Sequence, residues 1–207
     1  MSKEKPKVLS DTVKVQSGSI KEQPAAYNNE NEAFLEHTYI EERYEIINGI
    51  RYDLQPSPSL NHQRIVTRLA TSLEITCHST GTIIVAPIDV YLDDDNIFQP
   101  DVIYISNENA SIMKFNRIEG APDLVVEILS PSTSTNDKIR KKANYEKFGV
   151  KEYWIVDPVH LIVDQFILET NKYLLYNTYG VRDLLISPRF TCINVDLLKL
   201  FSNMLQS

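Results

Sequence analysis

Asp123-Leu-Val-Val-Glu-Ile-Leu-Ser130 reads as a strand buried on both faces, because a nearly unbroken apolar run of this length suits a strand covered on each side. Glu152-Tyr-Trp-Ile-Val-Asp157 reads the same way, and a helical pattern from about Ser134 to Phe148 lies between the two. Two such strands joined by a helix form a right-handed βαβ unit with parallel neighbours, so the class is α/β with mixed α+β character. Glu127 is the anomaly inside the first strand. An ionised carboxylate there is costly unless a cation, a metal or dense hydrogen bonding offsets it. Glu127 is therefore neutral, the salt-bridge partner of a nearby Lys or Arg, or a working group.

Upstream of this unit, Asp101 follows Gln99-Pro100 at the start of another apolar strand. Proline supplies no ladder donor and marks a place where pairing is interrupted and a side chain can be re-aimed. Period-two alternation puts Asp101, Ile103 and Ile105 on one face of their strand and Val125, Glu127 and Leu129 on one face of theirs. If the strands are neighbours, the two carboxylates converge. Paired oxygens of this kind suit a hard cation such as Mg²⁺ or Mn²⁺, while the plainer reading of Asp101 is a strand-entry residue capping nearby backbone. On the intervening helix Asp137, Lys141, Tyr145 and Phe148 share one sector, with Ile139 and Ala143 opposite. Lys141 can therefore reach back to Glu127, either as its structural partner or as a cation for a reacting phosphate.

The rest of the chain adds antiparallel elements. Tyr44-Glu-Ile-Ile and Ile50-Arg-Tyr-Asp-Leu flank Asn48-Gly49 and predict an N-terminal hairpin. Ser59 is the candidate cap of a helix carrying Ile65, Val66, Leu69, Leu73 and Cys77 on one stripe, with His62 one turn before it and Gly81 after it. Ile83 to Leu92 and Ile97 to Ile105, around Asp93-Asp-Asp-Asn96, predict a second hairpin. The acidic turn lacks the spacing of a calcium loop. Leu161 to Leu168 and Lys172 to Tyr176 predict a late hairpin, and Val195 to Phe201 a short terminal helix. Residues 1–32, rich in Lys, Glu, Ser, Gln and Asn, read as a flexible leader, with a short helical candidate near Phe34 and Leu35. Residues 33–207 then form a single domain.

Composition narrows the function. A 207-residue chain with 43% hydrophobic content supports one full core, and it has neither a bilayer-spanning run nor an apolar secretory segment. The expectation is a cytoplasmic protein with no membrane partner. Cys77 and Cys192 show no metal-ligand spacing and are expected to be reduced, packing cysteines. The net charge of −7 argues against a protein that simply coats nucleic acid. Locally the balance reverses: Lys138, Arg140, Lys141, Lys142, Lys147 and Lys151 face only Asp137 and Glu146. That run is either a solvated helix face or a phosphate-binding patch.

These segments resemble the Uma-two family, a restriction-endonuclease-like branch of the PD-(D/E)XK nuclease superfamily. The likeness rests on Arg43-Tyr-Glu-Ile-Ile-Asn-Gly49, Pro56-Ser-Pro-Ser with His62-Gln63, and Ala86-Pro-Ile-Asp-Val90. It continues through Gln99-Pro-Asp101, Gly120-Ala-Pro-Asp-Leu-Val-Val-Glu-Ile-Leu-Ser-Pro-Ser-Thr133, Asp137 with Lys141 and Tyr145, and Gly149-Val-Lys-Glu-Tyr-Trp-Ile-Val-Asp-Pro158. The resemblance implies a restriction-endonuclease-like core: a mixed central sheet flanked by helices, with an N-terminal hairpin and a C-terminal antiparallel extension. It implies a Mg²⁺- or Mn²⁺-dependent phosphodiesterase acting on DNA, with Asp101 and Glu127 as metal ligands and Glu45 and Lys141 completing the catalytic set. His62 and Asp137 are accessory candidates, and a homodimer is the implied assembly. The lysine that the wider superfamily places two residues after the strand glutamate is Leu129 here, and Lys141 stands in its stead. The alternative function is a non-catalytic nucleic-acid- or protein-binding module on the same fold.

Overall fold

The computed structural model describes residues 43–54, 58–130 and 136–204. The expected leader over residues 1–32 and the helical candidate near Phe34 and Leu35 lie outside these residues, as does the expected helix start at Ser134.

Asn48 and Gly49 take positive φ angles of 52° and 74°, the backbone that a two-residue hairpin turn requires, and join β1 (Tyr44–Ile47) to β2 (Ile50–Asp53). Ser59 caps α1 (Leu60–Cys77), its hydroxyl accepting the His62 N–H at 3.2 Å. Ile65, Leu69, Leu73 and Cys77 form the buried stripe that their spacing predicts.

The second hairpin forms but is shared between two sheets. One arm divides around Pro87 into β3 (Gly81–Val85) and β4 (Asp89–Asp93), the other around Pro100 into β5 (Asn96–Phe98) and β6 (Val102–Ser106). β4 pairs with β5, and β3 with β6, because a residue without an N–H cannot carry the ladder through. A 3₁₀ turn (Asn107–Ile112) then leads to β7 (Arg117–Glu119), parallel to β4, in a stretch whose polarity predicts only a connection.

β8 (Leu124–Ile128) and β9 (Glu152–Asp157) are parallel neighbours, as the βαβ pattern predicts. Between them a π-helical turn (Asn136–Lys141) runs into α2 (Lys142–Phe148), which Gly149 ends at φ 83°. β10 (Ile162–Glu169) and β11 (Lys172–Gly180) form the late hairpin. The terminal helix is shorter than expected: Val195 pairs within a ribbon of β12 (Leu184–Ile186) and β13 (Asn194–Asp196), and Asp196 caps α3 (Leu197–Leu200).

The six-stranded sheet has the order β11-β10-β9-β8-β6-β3, and the five-stranded sheet β2-β1-β5-β4-β7. Leu124, Val126, Ile128 and Trp154 pack on α1 and the C-terminal segment. On the opposite face of the same strands, Val125, Leu129, Tyr153 and Ile155 pack with Tyr145, Phe98 and Val90. Alternation thus assigns Glu127 to the Tyr145 side. Cys77 and Cys192 depart from expectation. They are joined in a disulfide rather than reduced, because the end of α1 and the segment preceding β13 enter one core and bring Cα atoms 115 residues apart to 5.2 Å. No helix among the described residues is long and apolar enough to cross a membrane.

Candidate active site

The β6–β8 ladder pairs Val102 with Val126 and Ile103 with Val125, so one further step, just outside β6, sets Asp101 opposite Glu127. The convergence expected from alternation is therefore a consequence of antiparallel register. Both residues line a cleft of about 1470 Å³, together with Glu45, His62, Asp137 and Lys141.

Lys141 is the hub. Its Nζ lies 2.7 Å from Glu45 Oε1, 3.1 Å from Glu127 Oε1 and 3.2 Å from Asp137 Oδ1, with every one of these side chains at most 3% exposed. Three elements supply the carboxylates: β1 brings Glu45, β8 brings Glu127, and the π-helical turn brings Asp137 alongside the lysine. Tyr145, one turn further along α2, donates its hydroxyl to Glu127 Oε1 at 2.9 Å. Glu45 Oε1 accepts the Gln99 N–H at 2.9 Å, and the Tyr153 hydroxyl donates to the Asp137 carbonyl at 2.9 Å. Tyr145, Tyr153 and Gln99 are absent from the sequence-derived site. The shared helical sector of Lys141 and Tyr145 held the signal for the first of them; the Gln99 contact is made by backbone and leaves no side-chain signature.

Asp101 sits apart from the lysine. Its Oδ2 accepts the Ile128 N–H at 2.8 Å and lies 3.1 Å from His62 Nε2. Neither Asp101 Oδ1 nor Glu127 Oε2 has a hydrogen-bond partner among the described residues. Thus, among the described residues, one oxygen of each carboxylate is held and the other carries no hydrogen bond.

The charges do not balance within the cluster. Burial pushes the Glu127 carboxyl well above the usual carboxylate range, Lys141 opposes this, and Asp137, Asp101 and Glu45 add to it. Burial also works against the Lys141 ammonium, but Glu127, Glu45 and Asp137 outweigh it and raise its pKa well above the ordinary lysine value. Both directions have one source: a buried cleft in which several carboxylates surround one lysine favours the charged ammonium and works against a full set of ionised carboxylates, with burial acting most strongly on Glu127. Burial, then Glu127, hold the Tyr145 phenol far above its usual range, so it remains a donor.

A divalent cation fits this donor set. Among the described residues no group of three or more His, Cys, Asp or Glu side chains is arranged as a metal cage. Asp101 and Glu127 would instead offer two hard oxygen ligands, the number with which Mg²⁺ is commonly held while it keeps waters, and a cation would offset the surplus negative charge.

The core is a mixed α+β fold in which a βαβ crossover joins two parallel strands of a largely antiparallel sheet. The crystal structure of "a putative nuclease belonging to DUF820" from Anabaena variabilis superposes with a TM-score of 0.65 at 20% identity, covering 82% of this chain and 95% of that one. The type IIG restriction endonuclease BpuSI aligns at 15% identity and a TM-score of 0.36 over 60% of this chain and 14% of its own. No curated protein matches the chain. Residues 32–197 match the Uma2 family, described as "Putative restriction endonuclease", and the chain belongs to that family.

Proposed function

We propose that this protein is a divalent-metal-dependent phosphodiesterase that hydrolyses DNA. The observation that carries the reading is that Asp101 and Glu127 stand opposite each other on adjacent strands and line one cleft with the buried Lys141, each keeping one carboxylate oxygen without a hydrogen bond among the described residues. Asp101 and Glu127 would hold Mg²⁺ or Mn²⁺. When bound, such a cation supplies Lewis acidity and lowers the pKa of a coordinated water.

The chain's own residues do the positioning. Tyr145 and Lys141 fix Glu127 Oε1, so the outward oxygen of that carboxylate has a defined direction. Lys141 places positive charge next to the reacting phosphate, where it opposes negative charge developing on the phosphoryl oxygens. Glu45 and Asp137 keep the ammonium in place and protonated. Burial of the cluster spares it reorganisation in water, which makes each fixed charge more effective.

A second reading has its own support. Lys141 is already engaged by three carboxylates, which is also how a self-satisfied structural ion cluster in a non-catalytic binding module would look. Incubation with single-stranded, duplex and branched DNA, with and without Mn²⁺, separates the two. The nuclease reading expects metal-dependent cleavage that Asp101→Ala abolishes; cleavage unchanged by that substitution would sink it.

A further inference from the structure

His62 occupies the first turn of α1, lines the same cleft as Asp101 and is only 8% exposed. Its backbone N–H is used by the Ser59 cap. Its imidazole touches Asp101 through Nε2, and the buried Nδ1 has no hydrogen-bond partner among the described residues. The ring therefore has one polar attachment, and that attachment is a proposed ligand carboxylate. An ionised Asp101 can only accept, so the bond requires the ring proton on Nε2.

Asp101 needs such help because of where it lies. It follows Pro100 in the break between β5 and β6, outside the regular ladder of either strand. The Ile128 N–H holds Oδ2 at one point, about which the carboxylate can still swing. A second donor on the same oxygen stops that swing and leaves Oδ1 as the oxygen presented to the cleft. The two donors come from different layers, α1 and β8, so they fix Asp101 relative to both the helix and the sheet.

We propose that His62 is a positioning residue for the cation site: by holding Asp101 Oδ2 together with the Ile128 N–H, it presents Oδ1 to a divalent cation and sets the affinity of the site for it. This rests on the reading of Asp101 and Glu127 as metal ligands. Outer partners of metal ligands commonly account for about 10–100-fold in affinity, and that is the effect expected here.

The test is calorimetric titration of the full chain with Mn²⁺ alone, without nucleic acid, alongside melting of each metal-free variant. His62→Phe keeps the ring volume and removes the donor; it should weaken Mn²⁺ binding about 10–100-fold while melting cooperatively. His62→Gln, whose amide nitrogen falls where Nε2 lies, should bind close to wild type. His62→Asn is too short to reach and should resemble His62→Phe, which keeps the comparison intact if the phenylalanine variant fails to fold. Wild-type affinity in His62→Phe or His62→Asn, while Asp101→Asn loses binding, would overturn the inference and leave the metal site standing. Equal weakening in His62→Gln and His62→Asn would also overturn it, since the ring would then matter only for packing. Undiminished Mn²⁺ binding in Asp101→Asn would instead overturn the metal reading itself.

Discussion

Replacing Lys141 by Met probes the cluster most directly. The substitution keeps much of the side-chain volume and removes a cation held 2.7, 3.1 and 3.2 Å from three carboxylates that are at most 3% exposed. Deleting one partner of a buried ion pair costs about 3–5 kcal/mol, because the remaining charge is left without compensation. Three orphaned carboxylates would exceed that range if all stayed ionised. Glu127, already pushed up by burial, takes a proton instead, so about 4 kcal/mol is the expected loss at neutral pH. With a urea slope of about 2 kcal/mol per molar, the unfolding midpoint falls by about 2 M. The direction of the pH dependence follows from proton counts. In the variant the folded Glu127 carboxyl has a pKa raised above its unfolded value of about 4.3, so the folded state binds the extra proton and stability falls as pH rises from there through the folded pKa. The deficit relative to wild type should therefore be smaller at pH 5 than at pH 7.5. Urea unfolding followed by circular dichroism at both pH values measures it. A variant within about 0.5 kcal/mol of wild type at pH 7.5, the range of ordinary surface changes, would refute the reasoning. So would a deficit that grows on acidification.

Three other substitutions test the scaffold. Glu152, fully buried, accepts from Trp154 Nε1 at 2.7 Å, Gln165 Nε2 at 2.5 Å and Ser187 Oγ at 2.6 Å, so Glu152→Ala should cost about 3 kcal/mol or more in thermal melts by stranding three donors. For Asp123, burial favours the neutral form, but hydrogen bonds from Lys151 and the Ser106 backbone prevail and hold its carboxyl below the usual range. That stabilisation is present above the unfolded pKa of about 3.9 and disappears as pH falls through the lower folded value, so the deficit of Asp123→Asn, read by urea unfolding, should shrink below about pH 4. A methyl group at Gly81 would collide with the Ile105 carbonyl and the Tyr104 ring, and Gly81→Ala should lower the melting temperature by an amount corresponding to about 1–3 kcal/mol.

Local pattern fixes much of this protein. Period-two and near-continuous apolar runs establish β8 and β9, the 3.6-residue stripe establishes α1, and Asn48-Gly49 establishes the first hairpin, because each depends on residues adjacent in the chain. The same alternation puts Asp101 and Glu127 on matching strand faces and Lys141 on the face of Tyr145. Pairing between distant segments is another matter. Nothing local reveals that Pro87 and Pro100 divide one hairpin between two sheets, or that residues 117–119, inside a largely polar stretch, supply a strand to one of them. Nor does a separation of 115 residues reveal the Cys77–Cys192 bond.

The site divides in the same way. Alternation and helical spacing put Asp101, Glu127, Asp137 and Lys141 on shared faces and demand a compensating group for Glu127, while Glu45 and His62 entered only through the family resemblance. Only the tertiary structure decided the number and identity of those groups: Glu45 and Asp137 share the lysine with Glu127, Tyr145 donates to the same carboxylate, and His62 holds Asp101 from α1. The physical reason is that burial and alternation are properties of one segment, whereas a contact at 3 Å between charges depends on the register of strands and the docking of helices that no single segment encodes.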